Sequence, residues 1–547
     1  MFILPVYYSY GQDSVVMNLK KHIYYLSSDK LQGRLTGSKG EKKASAYIIR
    51  QYKDIGIVPR GFQGSFLQTF SIRSGKKPVG KNQLVINTHK LTLNQDYYPL
   101  NASSDGKIKG SVADVGYGIA APAINYDSYK SQIDLKGKIF LMEAGTPDGQ
   151  DPHSKYGPYA DVKSKVEAAV AKGAIGIIFT NSNDQSEEPD PSLNIRSFEA
   201  TIPVIFIKSN ALKEARRDQL NVAEITVHLE KISVTGHNVI GFLDNHAPAT
   251  IVIGAHYDHL GRNELGGSLF RGEPEIHNGA DDNASGTAGV IELARWLASN
   301  GTTEKNNFLF INFSGEEEGL HGSKSWLSHA TYDTSKINFM INMDMIGRYG
   351  SEKGLQIDGL GTSPDAFGFI RTTSFDSLKL RFSDNGIGPS DHTSFYLENI
   401  PVLFFFTGYQ EDYHKPTDDA DKINYSGERD ILRLIQHLIM ELDKKGTLRF
   451  SKTKSTGNEE IPQFKVRLGI VPDYSFEGNG LRVDGVNEGE PASKAGILKG
   501  DVIISLGDYT VTDIYAYMHA LAAHKKGDTA PVKILRNSQE IQLKVTF

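Results

Sequence analysis

Long runs of apolar residues without polar alternation mark the centre of the chain. They occupy residues 250–255, 307–313, 337–343 and 401–406. Such runs are typical of central strands that helices cover on both faces. Apolar residues at helical spacing over 289–298 and 430–444 indicate two of these helices. The pattern therefore predicts an α/β domain in which a β-sheet lies between helices.

Helical spacing also occurs near the beginning of the chain. Apolar residues recur every three or four positions over 15–26 and again over 44–52, and a glycine-rich turn at 33–40 separates the two segments. From about 110 to 232 the pattern changes to short β-branched strands that alternate with helix. This stretch has no dense cluster of metal-binding residue types, so we interpret it as an inserted module.

The last part of the chain has a third kind of pattern. A polar stretch within 447–462 is typical of a linker. Residues 463–547 form a small β-rich unit with turn signals at 478–480, 488–489, 500–501 and 507–508. At 547 residues the chain is too long for one hydrophobic core, which agrees with several domains.

Composition and charge narrow the class of protein. The formal net charge is -5, so the charge gives no reason to expect nucleic acid as a partner. The chain has no cysteine, which excludes disulfides and leaves His, Asp and Glu for any metal site. No apolar run reaches the roughly 20 residues that span a bilayer, so no transmembrane segment is predicted. Residues 1–13 resemble the end of a secretory signal without its basic region, and a trimmed signal or an ordered terminus fits them equally.

Metal-binding side chains follow the predicted strands, where open α/β sheets place their sites. They lie in five groups: His256 with Asp258, Asp281 with Asp282, Glu316 to Glu318, Asp344, and His414 with Asp418. Zinc binds histidine nitrogen and carboxylate oxygen, and two zinc ions about 3.5–4 Å apart can share a carboxylate and a hydroxide that attacks a carbonyl. Such a site needs two histidines, a bridging carboxylate, another carboxylate for each metal and a glutamate as general base. The chain supplies that set.

These groups lie in motifs that are specific. The motifs read GAHYDH at 254–259, NGADDNASG at 278–286, FSGEEEGLHGS at 313–323, NMDMIG at 342–347, SDHTSF at 390–395, YHKPTD at 413–418 and LQGRLTGS at 31–38. They resemble the co-catalytic two-zinc aminopeptidases, a family that includes bacterial leucine-type and broad-specificity secreted enzymes. The resemblance covers about the first 445 residues. It implies the zinc-dependent exopeptidase fold, an α/β fold with a mixed β-sheet flanked by helices.

The resemblance also implies a ligand set for two zinc ions per chain. Carried over by motif position, His256 and Asp344 hold one zinc ion. Glu317 and His414 hold the other, and Asp282 bridges the two.

The same motif positions imply the catalytic groups. Glu316 corresponds to the general base and acid, and Asp258 hydrogen-bonds His256 and fixes its tautomer. In the family a cis peptide bond follows the bridging aspartate, which here is the bond from Asp282 to Asn283. Three consecutive glutamates do not by themselves show which of them corresponds to which position of the family motif. The segment that starts at Gly319 fixes this alignment.

Other residues of these motifs have weaker assignments. Tyr413, His392 and Arg348 are candidates for substrate binding, with Tyr413 beside a ligand and able to polarise the scissile carbonyl. Three further histidines match no ligand position: His259, His277 and His321. His392 matches none either.

Two further domains are indicated by resemblance. Residues 110–235 resemble a protease-associated (PA) domain, which in relatives lies beside the active-site mouth, and a stabilising insertion without substrate contact is the alternative. Residues 463–547 resemble a PDZ domain of bacterial proteases, in which 468–470 forms the loop that binds a peptide C-terminus. The expected organisation is peptidase at 14–109 and 236–446, PA domain at 110–235, linker at 447–462 and PDZ domain at 463–547.

The sequence thus predicts a zinc metallopeptidase that hydrolyses N-terminal amino acids from peptides or proteins. The hydroxide is expected between two zinc ions, with Glu316 as general base, and the protein is expected to be secreted or periplasmic. A carboxypeptidase- or dipeptidase-like enzyme would need cations for the substrate carboxylate, such as Arg348 and Arg381. A glutaminyl cyclase with one zinc and an inactive peptide-binding protein are the remaining alternatives. The preferred side chain, the oligomeric state and the PDZ ligand are not specified.

Overall fold

The computed structural model describes most of the chain. It covers residues 10–547 except 131–133, 150–153, 157–158, 182–187, 190, 192, 194–198, 216–220, 266, 271, 454–465, 473–475, 477, 487–489, 513–515, 518–519, 522 and 526. Most of the expected linker and most of the signal-like residues 1–13 lie outside the described residues. No helix among the described residues is long and apolar enough to cross a membrane.

The described residues contain both strands and helices. The strands are β1 Val58–Pro59, β2 Leu67–Pro78, β3 Gln83–Ile86, β4 His89–Leu91, β5 Tyr97–Pro99, β6 Gly106–Asp114, β7 Ala120–Ala121, β8 Tyr126–Asp127, β9 Ile139–Glu143, β10 Gly176–Thr180, β11 Val204–Ile207, β12 Val222–Val227, β13 Leu229–Leu243, β14 Ala249–His256, β15 Asn306–Phe313, β16 Ile337–Met343, β17 Leu355–Asp358, β18 Leu380–Phe382, β19 Val402–Phe406, β20 Ile470–Pro472, β21 Leu481–Val486, β22 Val502–Leu506, β23 Tyr509–Thr510, β24 Thr529–Arg536 and β25 Gln539–Thr546. The helices are α1 Tyr10–Leu26, α2 Lys39–Ile55, α3 Val162–Ala171, α4 Ser209–Ala215, α5 Gly286–Ser299, α6 His321–Ser328, α7 Pro364–Phe367, α8 His392–Leu397, α9 Tyr425–Asp443 and α10 Pro491–Ala495.

The largest sheet carries the site. Its strand order is β1-β13-β15-β14-β16-β19-β17-β18, with β2 paired to β13. Strands β15, β14, β16 and β19 are parallel, whereas β13 is antiparallel to β15 and β17 is antiparallel to β19. The sheet is therefore mixed, which confirms the predicted fold class. The four apolar runs of the sequence correspond to these four parallel strands.

Helices cover this sheet on both faces, as the continuous apolar runs predict. On one face α1, α2, α5 and α9 pack together, and their apolar residues form one core with β14 and β15. On the other face α6 and α8 contribute Trp326 and Phe395, whose rings stack at 5.6 Å. Helix α2 begins at Ser38, whose hydroxyl accepts hydrogen bonds from the N–H groups of Gly40 and Glu41.

The second sheet starts earlier in the chain than the predicted boundary at 110. Its order is β4-β3-β12-β6-β9-β10-β11-β5, so strands between 83 and 99 belong to it. The sequence pattern missed this, because β3 and β5 pair with β12 and β11, more than 100 residues away. The long strands β2 and β13 pair with each other on either side of the insertion.

The third sheet lies at the C-terminus. Its order is β20-β21-β22-β24-β25, and β23 pairs with β22. Its core is formed by buried apolar side chains such as Leu468, Val483 and Ile534. A hydrogen bond between described residues connects this unit to the insertion, because Lys163 Nζ of α3 donates to Asn479 Oδ1 over 2.8 Å.

Candidate metal centre

Four parallel strands end at the same edge of the large sheet, and the site lies at that edge. Strand β14 ends with His256, the segment after β15 carries Glu316 and Glu317, and Asp344 follows β16. The loop before α5 and the segment after β19 complete the group. The sheet therefore brings together side chains that lie far apart in sequence, as open α/β sheets do.

The ligand atoms form two sets that share Asp282. In the first half-site, His256 Nε2 lies 3.3 Å from Asp282 Oδ1 and 3.3 Å from Asp344 Oδ1. In the second half-site, His414 Nε2 lies 3.3 Å from Asp282 Oδ2 and 3.1 Å from Glu317 Oε2.

These spacings fit a metal ion in each half-site. Two ligand atoms at about 2.0–2.1 Å from a tetrahedral zinc ion are about 3.3 Å apart. The distances within each set are close to that value, and each oxygen of the shared carboxylate faces a different histidine. All five predicted ligands therefore lie where two ions bridged by Asp282 could be held.

Asp258 supports the ligands from behind. Its Oδ1 atom lies 3.7 Å from His256 Nδ1, which is too long for the hydrogen bond that the resemblance implied, and His256 Nδ1 has no hydrogen-bond partner among the described residues. It also accepts the backbone N–H of Glu316 at 3.3 Å and that of Glu317 at 3.4 Å, and Thr36 Oγ1 donates to it at 3.2 Å. The aspartate thus holds the backbone that carries the two glutamates, and it lies beside the histidine of the first half-site.

The three consecutive glutamates point in different directions. Glu317 faces the second half-site, whereas Glu316 Oε2 lies 3.9 Å from His256 Nε2. Glu318 Oε2 accepts a hydrogen bond from Thr36 Oγ1 at 3.0 Å, away from both half-sites. Burial raises the pKa of Glu316 well above its usual value, with the charges of Asp344 and Glu317 acting in the same direction.

The loop that carries Asp282 is fixed by hydrogen bonds to its backbone. The Asp418 carboxylate accepts the N–H groups of Asp281 and Asp282 at 3.0 and 3.1 Å. Asn283 Nδ2 donates to Met343 O at 3.0 Å. The peptide bond between Asp282 and Asn283 is cis, as the resemblance implied.

His414 is oriented through its other ring nitrogen. Nδ1 lies 2.9 Å from Gly267 O, so Nδ1 carries a proton, and Nε2 faces the carboxylates of Asp282 and Glu317. The ring of Tyr413 stacks on that of His414 at 3.9 Å. Although burial opposes it, the carboxylate of Glu317 and that of Asp282 raise the pKa of His414 well above its usual value.

A buried guanidinium braces the loops beneath the site. Arg34 is 1% exposed and donates to four backbone carbonyls, at distances of 2.5–2.9 Å, which belong to Leu26, Tyr257, Asn278 and Gly279. Burial lowers the pKa of Arg34 to about 10, and the nearby carboxylates oppose this shift. Sequence reasoning placed Arg34 in a motif but gave it no role. Only the positions of the four carbonyls, which come from three separate segments, reveal one.

A pocket opens beside the half-sites. Its apolar lining consists of Met345, Pro389, Phe404, Phe406, Tyr409 and Tyr413. Asp282, Glu316, Glu317, Asp344 and His414 form its polar wall. The arrangement places apolar and aromatic side chains next to the two carboxylate-rich half-sites.

The three residues predicted to bind substrate have different surroundings. Tyr413 lines the pocket. His392 lies behind it, with its ring stacked on Phe404 at 4.2 Å, and burial lowers the pKa of His392 to about 3. Arg348 is not among the lining residues, and its Nη1 atom lies 3.3 Å from Asp412 Oδ2.

The three histidines that match no ligand position of the motifs also have different surroundings. His259 Nδ1 lies 2.5 Å from Glu317 Oε1, a contact with a ligand that the motif comparison missed. His277 Nε2 lies 2.7 Å from Ser268 Oγ, and His321 begins α6. In the sequence, the one indication of this contact was that His259 lies three residues after His256. The direction in which its side chain points depends on the fold.

Comparison with known proteins identifies three segments. Residues 238–439 match Peptidase family M28, residues 101–215 match the PA domain, and residues 449–547 match the PDZ domain. The PA match begins before the predicted boundary at 110, in agreement with the earlier start of the second sheet.

Curated relatives and a solved structure resemble the chain. Aminopeptidase YwaD of Bacillus subtilis (strain 168) is 28% identical, over 61% of this chain and 70% of that protein. A probable leucine aminopeptidase of Arthroderma benhamiae is 28% identical over 35% of this chain, and the match spans 54% of that protein's length. The structure of BSAP, a zinc aminopeptidase from Bacillus subtilis, is 23% identical, covers 81% of this chain and 96% of its own, and has a TM-score of 0.46.

Proposed function

We propose that this chain, which carries a peptidase family M28 domain at 238–439 together with a PA domain and a PDZ domain, is a zinc aminopeptidase. The observation that carries the proposal is the pair of half-sites that share Asp282 beside an apolar pocket. The name of the Bacillus subtilis relative, an aminopeptidase, supports the same activity.

The donor set suits two zinc ions. His256, Asp344 and Asp282 would hold one, and Glu317, His414 and Asp282 the other. Nitrogen and carboxylate oxygen are the ligands that zinc takes where no thiolate is available, and the spacing of the donor atoms agrees with tetrahedral geometry. When bound, zinc supplies Lewis acidity toward a water molecule and toward the scissile carbonyl.

Glu316 is the group that moves the proton in this proposal. Its carboxylate lies at the pocket but outside the closest ligand contacts, with Oε2 3.9 Å from His256 Nε2. It takes the proton from the attacking water and passes it to the departing amine. A glutamate carboxylate that lines the pocket is placed for both steps.

The chain's own residues also define the substrate. The carboxylates of Asp344 and Glu316 line the pocket and would bind the cationic α-amino group of an unblocked peptide. The aromatic lining, including Phe404 and Phe406, would take an apolar first side chain. Asp258 acts indirectly, because it accepts the backbone N–H of Glu316 and places a negative charge beside His256.

The remaining parts of the proposal concern the partners and the compartment. The loop at 468–470 would bind the carboxylate of a peptide C-terminus, and Gly469 there has a φ of 80°. The insertion would restrict which peptides reach the site. We expect the protein to act as a secreted or periplasmic enzyme.

The test compares free and N-acetylated aminoacyl p-nitroanilides, each with and without a zinc chelator. The proposal predicts cleavage of the free substrates alone, loss of activity with the chelator and recovery when zinc is added back. Cleavage of the acetylated substrates would contradict an aminopeptidase. Full activity in a protein that retains no metal after chelation would contradict the zinc assignment.

A further inference from the structure

One histidine without a motif position touches the candidate metal centre. We infer that His259 is a positioning residue, which holds one oxygen of Glu317 so that the other faces the second half-site. His259 Nδ1 lies 2.5 Å from Glu317 Oε1, while Glu317 Oε2 lies 3.1 Å from His414 Nε2. The inference rests on the proposed zinc function and concerns only the second half-site.

The direction of this hydrogen bond follows from the chemistry of the two groups. An ionised carboxylate only accepts, so the proton of the contact belongs to His259 Nδ1. The opposite ring nitrogen, Nε2, is buried and has no hydrogen-bond partner among the described residues. A ring that carries its proton on Nδ1 rather than on Nε2 satisfies both observations, because it leaves no buried N–H without an acceptor.

Geometry separates this role from direct binding of the ion. His259, Asp282 and Glu317 lie close enough to be considered as a metal site of their own. Two ligand atoms 2.5 Å apart, each at about 2.05 Å from zinc, would subtend roughly 75° at the ion, far below the tetrahedral angle. His414 Nε2 and Glu317 Oε2, 3.1 Å apart, lack this difficulty. His414 and Glu317 would therefore hold the ion, and His259 lies on the other side of the carboxylate.

The fold fixes the ring of His259 in this orientation. A Cβ atom on Gly279 would lie 2.6 Å from His259 Cδ2, so the ring occupies space that any other residue at 279 would fill. Its backbone N–H donates to Arg34 O at 3.4 Å. Its ring meets that of His414 edge-on, with centroids 5.9 Å apart. A fully buried ring with these neighbours has little freedom to turn away from Glu317.

The experiment measures zinc binding rather than activity, and it compares three substitutions. The side-chain amide nitrogen of asparagine can occupy the place of Nδ1, that of glutamine reaches the place of Nε2, and leucine has no donor. Competition with a chelator of known affinity gives the dissociation constants of both zinc ions. We expect H259L and H259Q to raise the dissociation constant of one zinc ion by about 10–100-fold, as removal of a group that hydrogen-bonds a ligand does. For H259N, both dissociation constants should stay within about threefold of the wild-type values.

Two backgrounds identify the half-site that is affected. The His256→Ala background keeps the histidine of the second half-site and removes that of the first. The His414→Ala background keeps the histidine of the first half-site and removes that of the second. H259L should weaken zinc binding by 10–100-fold in the His256→Ala background and by less than threefold in the His414→Ala background. A matched control is His277→Leu, because His277 is also buried and near His259 but contacts Ser268 instead of a ligand. This control should retain both affinities.

Each result decides the question. Equal zinc affinities in wild type, H259L and H259Q would overturn the inference, and so would an H259N variant as weak as H259L. Loss of zinc by H259N and H259L alike in the His256→Ala background would show a direct ligand instead. If H259L does not fold, the pair H259N and H259Q carries the test, since both keep a polar side chain. Wild-type protein that binds no zinc would refute the proposed function itself.

Discussion

Replacement of Arg34 by methionine tests whether the brace beneath the site stabilises the peptidase domain. Methionine keeps an unbranched stem of similar length but removes every donor of the guanidinium. Four carbonyl oxygens, which now accept at 2.5–2.9 Å, would lose their partner. Arg34 is 1% exposed, so water does not replace the donors without local opening.

The expected size follows from the cost of unsatisfied buried groups. Each orphaned acceptor costs about 1–3 kcal/mol. Removal of a buried charge and local rearrangement recover part of this, so we expect the lower end, about 4 kcal/mol for the four acceptors together. The unfolding entropy is about 2.1 cal/mol/K per residue, so for a peptidase domain of roughly 300 residues each kcal/mol shifts Tm by about 1.6 °C, which predicts a decrease of about 6 °C.

Scanning calorimetry provides the assay, with the peptidase transition identified by its shift on addition of zinc. Arg371→Met is the matched control, because Arg371 is partly exposed and its guanidinium pairs with Asp384 near the surface. Such a pair contributes about 0–1 kcal/mol, so the control should change Tm by less than about 3 °C. A decrease below 3 °C for Arg34→Met, or equal decreases for both variants, would refute the reasoning.

Three further changes have defined outcomes. Glu316→Gln removes the proton acceptor and should lower kcat at least about 10³-fold while zinc content, measured by elemental analysis, stays at the wild-type value. Gly279→Ala would place a Cβ 2.1 Å from Asp282 O at a φ of 55°, so zinc affinity and Tm should both fall, and an unchanged chelator titration would contradict this. Burial raises the pKa of Glu428 well above its usual value, and neither carboxyl oxygen has a hydrogen-bond partner among the described residues. Because the folded pKa exceeds the unfolded one, wild-type stability falls as pH rises above about 4.3, so Glu428→Gln should match wild type near pH 4 and exceed it by about 1 kcal/mol or more at pH 7 in urea unfolding.

The sequence predicted the parts of the structure that local patterns encode. Continuous apolar runs predicted the central strands, and the metal-binding residues at their ends were expected to meet because parallel strands share an edge. Glu317 was assigned by the segment that begins at Gly319. The structure adds a physical reason, because Asp258 accepts the N–H groups of both Glu316 and Glu317 and so fixes which side chain faces which half-site.

Other features depended on distant contacts and could not be predicted. The second sheet includes β3 and β5, whose partners lie far along the chain, so the predicted boundary at 110 was too late. The brace by Arg34 requires carbonyls of three segments to converge. His259 adjoins the motif of His256, yet only the path of the chain shows that its ring reaches Glu317. The effect of the insertion on substrates stays a prediction.

The most direct test of the central claim is to identify the product released from one peptide in two forms. The zinc-loaded protein is incubated with a peptide that has an apolar first residue, either free or acetylated at its N-terminus, and the fragments are weighed by mass spectrometry. The account predicts release of the single first residue from the free peptide and no cleavage of the acetylated one. Loss of residues from the C-terminus, release of dipeptides or cleavage of the acetylated peptide would contradict it.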